Sequence, residues 1–190
     1  MRPWRTWSVL RVVRVAAEPG LASRVREAAL LEGDFVLSSG KRSRFYVDKY
    51  LFSTEPGLLW ELAREISARL PADTERLAGV ELGAVPLVVA ASLQSGLSYG
   101  IVRKGVKAYG TSNSIEGRSL EDGEKVVLIE DVVTTGAQVL RAAATLEEAG
   151  AEVLGILAAL DRRDEDSASL GSYPFGALLR LEDLGVKGGD

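Results

Sequence analysis

Hydrophobic positions along the chain follow two alternating spacings, one typical of helices and the other of buried strands. Apolar residues three or four apart predict amphipathic helices over residues 21–33, 56–70, 87–94 and 137–149, the first stopped by Gly33. Short continuous apolar runs predict buried strands over 77–82, 97–102, 126–129 and 151–160, with an edge strand over 177–181. The alternation predicts an α/β fold, a mainly parallel sheet with helices on both faces.

Residues 35–48 interrupt this alternation. Two β-like runs flank a polar turn at residues 39–40, a pattern that predicts a hairpin. Three basic residues and the aromatics Phe45 and Tyr46 lie close together in this segment. The segment is either a solvated turn with core aromatics, or a hood whose aromatics stack on a planar ligand and whose cations attract its charge. The spacing leaves both interpretations open.

The segment KVVLIEDVVTTGAQ, residues 125–138, carries the clearest chemical pattern. Its apolar run ends in Glu130 and Asp131, and Thr134, Thr135 and Gly136 then lead into a helix. Backbone N–H groups and hydroxyls at such a turn can hold a phosphate. The two carboxylates can accept hydrogen bonds from sugar hydroxyls or hold a divalent cation. The pattern indicates a phosphosugar site, and the alternative is an ordinary strand with a solvated polar end.

Two further segments could serve such a site. The small-residue turn at 83–86 lies between a strand and a helix, where backbone amides can approach an anion. The loop after the strand at 97–102 carries Arg103, Lys104 and Lys107. Most cationic loops are solvated surface, but beside a phosphosugar this one could close over a polyphosphate.

Composition narrows the classes of function. The 190 residues include no cysteine and no histidine, so thiol chemistry is excluded and any proton transfer must use carboxylates, lysine or tyrosine. The net charge of −4 gives no support for general nucleic-acid binding, and no apolar run reaches the roughly 20 residues that span a bilayer. Residues 1–20 are basic, and Arg11 and Arg14 break the apolar stretch that a secretion signal would need. This segment is therefore predicted to be a poorly ordered extension, or the product of translation from an upstream start.

These motifs together resemble a known family. VVLIEDVVTTGAQ looks like the phosphoribosyl-diphosphate (PRPP) signature of type I phosphoribosyltransferases. FVLSSGKRSRFYVD resembles the N-terminal hood of the orotate phosphoribosyltransferases, GVELGAVPL their pyrophosphate-binding turn, VRKGVKAYG their catalytic loop and LDRRD the segment with their orotate-binding arginine. The resemblance covers about residues 21–165. It implies one phosphoribosyltransferase domain over 21–190, with a hood over about 21–50 and a core over about 56–165.

The resemblance also implies an activity and a set of site residues. The reaction would join orotate and PRPP to give orotidine 5′-monophosphate and pyrophosphate, with Mg²⁺, in a cytoplasmic homodimer with shared active sites and with neither nucleic acid nor membrane as a partner. Catalytic residues would be Lys104, Lys107 and Asp131, metal ligands Glu130 and Asp131, and orotate-binding residues Tyr46, Thr134 and Arg162. PRPP-binding residues would be Arg103, Lys104, Lys107, Tyr109, Glu130, Asp131, Val132, Val133, Thr134, Thr135, Gly136, Ala137 and Gln138.

Three positions depart from the family pattern, and two rival functions stay open. Tyr109 stands where many members have a histidine, Ser38 where some have a lysine, and Glu130 where an aspartate is usual. A transferase for a purine or another base would share the PRPP site but lack the hood sequence and Arg162. A non-catalytic PRPP-responsive regulator would keep the carboxylate strand and lose the loop cations.

Overall fold

A computed structural model describes residues 20–36, 40, 42–105, 114–164 and 167–186. The helices are α1 (Leu21–Ala29), α2 (Lys49–Ser53), α3 (Pro56–Ala68), α4 (Val85–Ser95) and α5 (Ala137–Glu148), followed by a 3-10 helix at Leu181–Leu184. The strands are β1 (Leu30–Val36), β2 (Arg42–Val47), β3 (Arg76–Val80), β4 (Ser98–Val102), β5 (Ile115–Glu116), β6 (Lys125–Val133), β7 (Glu152–Asp161), β8 (Ser169–Leu170) and β9 (Tyr173–Arg180). The predicted extension lies outside the described residues except for Gly20, so the predicted domain division stays a prediction.

Seven of these strands form one sheet in the order β5-β4-β3-β6-β7-β9-β8. Neighbouring strands from β4 to β9 pair in parallel, and the two-residue strands β5 and β8 pair antiparallel at the two edges. This mostly parallel sheet with helices on both faces confirms the predicted α/β fold. Because these parallel strands all run in the same direction, their carboxyl ends meet at one edge of the sheet. The strands concerned are β3, β4, β6, β7 and β9.

Alternate side chains of β6 explain why its first half is apolar at every position from 126 to 129. Val127 and Ile129 lie in a core cluster with residues of α1, α3 and α4. Val126 and Leu128 lie in a second cluster, with residues of α5. Successive side chains of a strand point to opposite faces, so a central parallel strand must be apolar at every position. The strand therefore has a fixed position between two helical layers.

The hood differs from its predicted outline. Helix α1 ends at Ala29 instead of continuing to Gly33, because the following residues form β1 and pair with β2, with Leu30 opposite Val47. The side chain of Leu31 is 39% exposed, so it does not lie on the inward face that a helix over residues 21–33 would require. The hairpin itself is present, and β2 leads at once into α2, whose N-cap Asp48 accepts a hydrogen bond from the Tyr50 N–H at 3.0 Å.

Two predicted strand boundaries are also corrected. Strand β6 runs through both carboxylates to Val133, because Glu130, Val132 and Val133 continue the ladder with β7. The strand predicted over 177–181 begins at Tyr173 and lies inside the sheet, between β7 and β8. Pro174 and Gly176 interrupt the apolar run that would have marked its full length. Within the described residues, no helix is long and apolar enough to cross a membrane.

Candidate active site at the carboxyl edge of the sheet

The turn from β6 into α5 lines an open cleft of about 100 Å³. Its lining contains every predicted PRPP-binding residue from 130 to 138, together with Val139 and Lys49. Tyr46, Arg103, Lys104 and Arg162 are not among the lining residues of this cleft. The structure therefore gathers the carboxylates and the threonine turn in one place and leaves the other predicted contacts around it.

Glu130 and Asp131 form a buried carboxyl pair, 4% and 2% exposed. The Asp131 N–H donates to Glu130 Oε1 at 3.1 Å, and the Val132 N–H donates to Asp131 Oδ1 at 2.7 Å. Burial, together with the hydrogen bond and negative charge of Asp131, raises the pKa of Glu130 to about 9. Glu130 therefore holds a proton near neutral pH in the unliganded protein, and a ligand with positive charge or hydroxyl donors would favour its ionised form.

Lys49, the first residue of α2, is a member of this site that the sequence did not reveal. Its Nζ lies 2.6 Å from Asp131 Oδ2, and its side chain is 32% exposed. Burial lowers the pKa of Lys49, but the hydrogen bond and charge of Asp131 outweigh that effect, and the pKa is raised. The signal in the sequence is a lysine two residues after β2, and its role becomes clear only from the position of α2 beside β6.

The turn that begins α5 depends on Gly136. Its φ is +76°, and a Cβ there would lie 2.6 Å from Leu170 Cδ1, so a side chain is excluded by conformation and by space. Thr135 Oγ1 accepts a long hydrogen bond from the Ala137 N–H at 3.4 Å, and Thr134 and Thr135 are exposed. The first N–H groups of a helix have no partner within the helix, so this turn offers backbone and hydroxyl donors to an anion.

The turn between β3 and α4 closes the site from another direction. Gly83 lies against Asp131, because a Cβ on Gly83 would be 1.5 Å from Asp131 Oδ2. The N-cap of α4 is Ala84, so Gly83 does not cap the helix. The predicted anion-binding turn and the carboxylate strand are thus in direct contact.

Arg103 and Lys104 begin the predicted catalytic loop at the end of β4. Glu81 Oε1 accepts a hydrogen bond from the Lys104 N–H at 2.6 Å. Arg103 forms ion pairs with Glu116 at 3.5 Å and with Glu81 at 3.9 Å. The predicted residues Lys107 and Tyr109 lie outside the described residues, as does Ser38.

Two consecutive arginines follow β7 and have different surroundings. Arg163 forms a two-point ion pair with Asp161, at 3.0 Å for each contact, and its guanidinium lies 4.2 Å from the centre of the Phe175 ring. Arg162 donates its backbone N–H to the Val133 carbonyl at 2.8 Å, but its buried Nε has no hydrogen-bond partner among the described residues. Both line an open hollow of about 470 Å³. The side chain of Arg162 is therefore the better candidate for a ligand contact.

Tyr46, the predicted base-packing residue, lies on β2 of the hood. Its side chain is 39% exposed, and its ring centre is 5.5 Å from that of Phe35. The aromatics of the hood are thus partly open to solvent rather than buried in the core.

Comparison with known proteins gives this arrangement a class. A family model for the phosphoribosyl transferase domain matches residues 58–174, well over half of the chain. The fold, the carboxylate strand and the threonine turn thus define a phosphoribosyltransferase.

Individual relatives narrow the family. Orotate phosphoribosyltransferase of Methanocella arvoryzae is 47% identical over 73% of this chain and 78% of the relative, and that of Halobacterium salinarum is 43% identical over 90% and 98%. A crystal structure of Mycobacterium tuberculosis orotate phosphoribosyltransferase in complex with PRPP is 27% identical, with a TM-score of 0.71 over 87% of this chain and 97% of that chain. The chain belongs to the orotate phosphoribosyltransferase family.

Proposed function

We propose that this protein transfers the 5-phosphoribosyl group of PRPP to orotate, giving orotidine 5′-monophosphate and pyrophosphate in pyrimidine biosynthesis. One observation carries the proposal. A buried carboxyl pair and a threonine–glycine turn at a helix N-terminus line the same cleft, and this is the donor and acceptor set that a phosphorylated sugar requires. The family relationship supplies orotate as the acceptor.

The ribose 5-phosphate of PRPP binds along the end of β6 and the start of α5. Residues 134–138 hold the 5-phosphate with backbone N–H groups and the hydroxyls of Thr134 and Thr135. Glu130 and Asp131 accept hydrogen bonds from the ribose hydroxyls. The surrounding sheet and helices keep these groups in place before the substrate arrives, which lowers the entropic cost of reaching the reactive geometry.

The residues at this site suit Mg²⁺ that arrives with PRPP. Mg²⁺ is commonly bound through one or two carboxylates together with water and substrate phosphates. Glu130 and Asp131 supply that number of carboxylates, and the described residues contain no group of three or more histidine, cysteine, aspartate or glutamate side chains that could hold a metal ion without the substrate. When bound, the metal would neutralise charge on the diphosphate. The protein's part is to offer the two carboxyl groups and to hold the sugar beside them.

Breaking the bond at the anomeric carbon develops positive charge on the ribose and negative charge on the departing pyrophosphate. Arg103, Lys104 and Lys107 close over the pyrophosphate and stabilise its charge as it leaves. Closure also excludes water that would otherwise hydrolyse the activated sugar. Catalysis therefore depends on cations aimed at the leaving group and requires no histidine.

Orotate lies between the hood and the end of β7. Tyr46 packs against its ring, and Thr134 and Arg162 hold its polar edges. A guanidinium is suited to a carboxylate because its planar fork presents parallel N–H donors. Arg162 has a buried Nε without a hydrogen-bond partner in the described structure, so orotate gives this group a partner.

The protein acts in the cytoplasm as a homodimer in which loop cations of one subunit reach the active site of the other. Large apolar side chains are exposed on α3, on α4 and in the turn before α4, at Trp60, Leu93 and Leu82. They provide surface for such contact. Mixing inactive Lys104→Ala and Asp131→Asn proteins tests the sharing. Roughly a quarter of the activity should return, because mixed dimers then hold one complete site. No recovery would mean that each subunit completes its own site.

Activity is tested by following the absorbance of orotate after PRPP and Mg²⁺ are added, with adenine, guanine and uracil in parallel. We expect turnover with orotate and none with the other bases. Turnover of another base without turnover of orotate would contradict the proposed function.

A further inference from the structure

Lys49 occupies the side of Asp131 that faces the cleft. The Asp131 carboxylate is 2% exposed, and its Oδ1 already accepts a hydrogen bond from the Val132 N–H. Its Oδ2 lies 2.6 Å from Lys49 Nζ, and the backbone of Gly83 stands directly against the same oxygen. A ligand that needs Asp131 Oδ2 must therefore displace the Lys49 ammonium.

We propose that Lys49 is the resident counter-ion of this site: its ammonium neutralises Asp131 in the unliganded protein and is displaced when a divalent cation and PRPP bind. The inference rests on the proposed function for the identity of the ligand, and it adds a positioning residue that acts through Asp131. Lys49 holds the carboxylate in the geometry that the ligand will use.

The anchoring of Lys49 is consistent with this role. Helix α2 is held at its start by Asp48, which caps the Tyr50 N–H, and further along by the buried residues Phe52 and Ser53. The lysine side chain has a flexible four-carbon stem and is one-third exposed, so the ammonium can move into solvent while the backbone stays in place. The backbone of Lys49 is thus fixed, whereas its ammonium group is free to move away from Asp131.

The arrangement also explains why the site should discriminate against a metal ion alone. A free divalent cation would gain only the two carboxyl groups of the protein and would have to displace the ammonium to reach Asp131. The same cation bound to PRPP brings phosphate oxygens and the ribose hydroxyls, which add interactions with the turn at 134–138. Lys49 should therefore weaken the binding of metal alone, whereas the added interactions of PRPP offset the cost of displacing the ammonium.

Mn²⁺ binding without PRPP tests this directly, by electron paramagnetic resonance or calorimetry on the full chain. Lys49→Met keeps the length of the side chain and removes its charge, and it should bind Mn²⁺ at least about 10-fold more tightly than the native protein, because a positive charge within a few ångströms of the metal has been removed. In chelator its melting temperature should fall, and Mn²⁺ should restore it. Lys49→Arg keeps the charge and should retain the native Mn²⁺ affinity.

Lys125→Met is the matched control, since Lys125 forms a 2.7 Å ion pair with Asp73 at the opposite end of β6. It removes one lysine charge without touching the cleft and should leave Mn²⁺ binding unchanged.

If Lys49→Met does not fold, Lys49→Gln tests the same charge loss while keeping a hydrogen-bond donor. Unchanged Mn²⁺ affinity in the neutral variants would overturn the proposal, as would weaker PRPP binding with unchanged Mn²⁺ affinity, which would make Lys49 a substrate ligand. The Mn²⁺ measurement uses no orotate, so failure of the proposed reaction and failure of this inference are distinguishable.

Discussion

Gly83 and Asp131 touch so closely that any side chain at position 83 would require Asp131 to move. A Cβ atom there would stand 1.5 Å from Asp131 Oδ2, far inside any van der Waals contact. The turn between β3 and α4 and the carboxylates of β6 therefore form one unit. A ligand that reaches from the ribose hydroxyls to a diphosphate would contact both parts without either having to move.

Gly83→Ala should therefore strongly weaken PRPP binding without unfolding the protein. The added methyl group must displace the Asp131 carboxylate, and we expect kcat/KM for PRPP to fall at least about 100-fold, because the group proposed to hold the reacting sugar is then misplaced. Calorimetric titration with PRPP and far-UV circular dichroism measure the two effects separately. Gly57→Ala is a suitable control, because its Cβ would meet only the ends of flexible side chains, Arg24 at 3.1 Å and Glu55 at 3.3 Å. Native PRPP affinity in Gly83→Ala would show that the close approach of Gly83 to Asp131 is not needed for PRPP binding.

Lys104→Ala should leave the fold intact and reduce turnover by about two to three orders of magnitude, as expected when a cation that stabilises developing charge is removed. Glu81 binds the backbone N–H of Lys104 rather than its side chain, so the start of the loop keeps its anchor in the variant. The measurements are kcat at saturating concentrations of both substrates and the melting temperature. Lys125→Ala, which removes a lysine at the far end of β6, should change neither. Near-normal turnover by Lys104→Ala would remove the loop from the mechanism.

The sequence predicted the carboxylate strand and the threonine turn well, because local pattern determines both. Val126 to Ile129 are apolar at every position, and Gly136 adopts the φ of +76° that favours glycine. The role of Lys49 could not be predicted, because it depends on where α2 lies against β6. The end of α1 was missed for a similar reason: Leu30 is apolar and helix-compatible, but pairing with Val47 decides its conformation.

The stability of the unliganded protein should decrease as pH rises from about 4.5 to about 9. Burial and the neighbouring Asp131 raise the pKa of Glu130 to about 9, whereas the unfolded chain has the ordinary value of 4.5. Between these values the folded state binds more protons than the unfolded state, so the free energy of unfolding falls with pH, by at most about 1.4 kcal/mol per unit. The lowered pKa of Glu124 acts in the opposite direction, but only near and below its ordinary value of 4.5.

Urea unfolding of the unliganded protein at pH 6, 7 and 8 measures this slope. Glu130→Gln replaces the protonated carboxyl group with a neutral amide of similar shape, and the pH dependence over this range should become much flatter. Glu121→Gln provides a control, since that side chain is 82% exposed. If the free energy of unfolding of the native protein did not change with pH, or if Glu130→Gln kept the native slope, Glu130 would not carry a proton in this pH range.

Arg162 and Arg163 allow the proposed orotate-binding arginine to be compared directly with a structural one. Arg162→Ala should raise KM for orotate by about 100-fold, which corresponds to about 2.7 kcal/mol and to the loss of charge-assisted hydrogen bonds. PRPP affinity and melting temperature should stay native, because the Nε of Arg162 has no hydrogen-bond partner in the described structure to lose. Steady-state kinetics with each substrate varied in turn separates the two effects.

Arg163→Ala should behave differently, because it breaks both contacts with Asp161 and the stacking on Phe175. Asp161 is 2% exposed, so leaving its carboxylate with fewer partners should lower the free energy of unfolding by about 3 kcal/mol. The Arg163→Ala variant should also have altered KM values for both substrates, because the end of β7 becomes less ordered. That end pairs with Val133, beside the turn proposed to bind PRPP. If Arg162→Ala lost stability and Arg163→Ala lost only orotate affinity, the two roles would have to be exchanged.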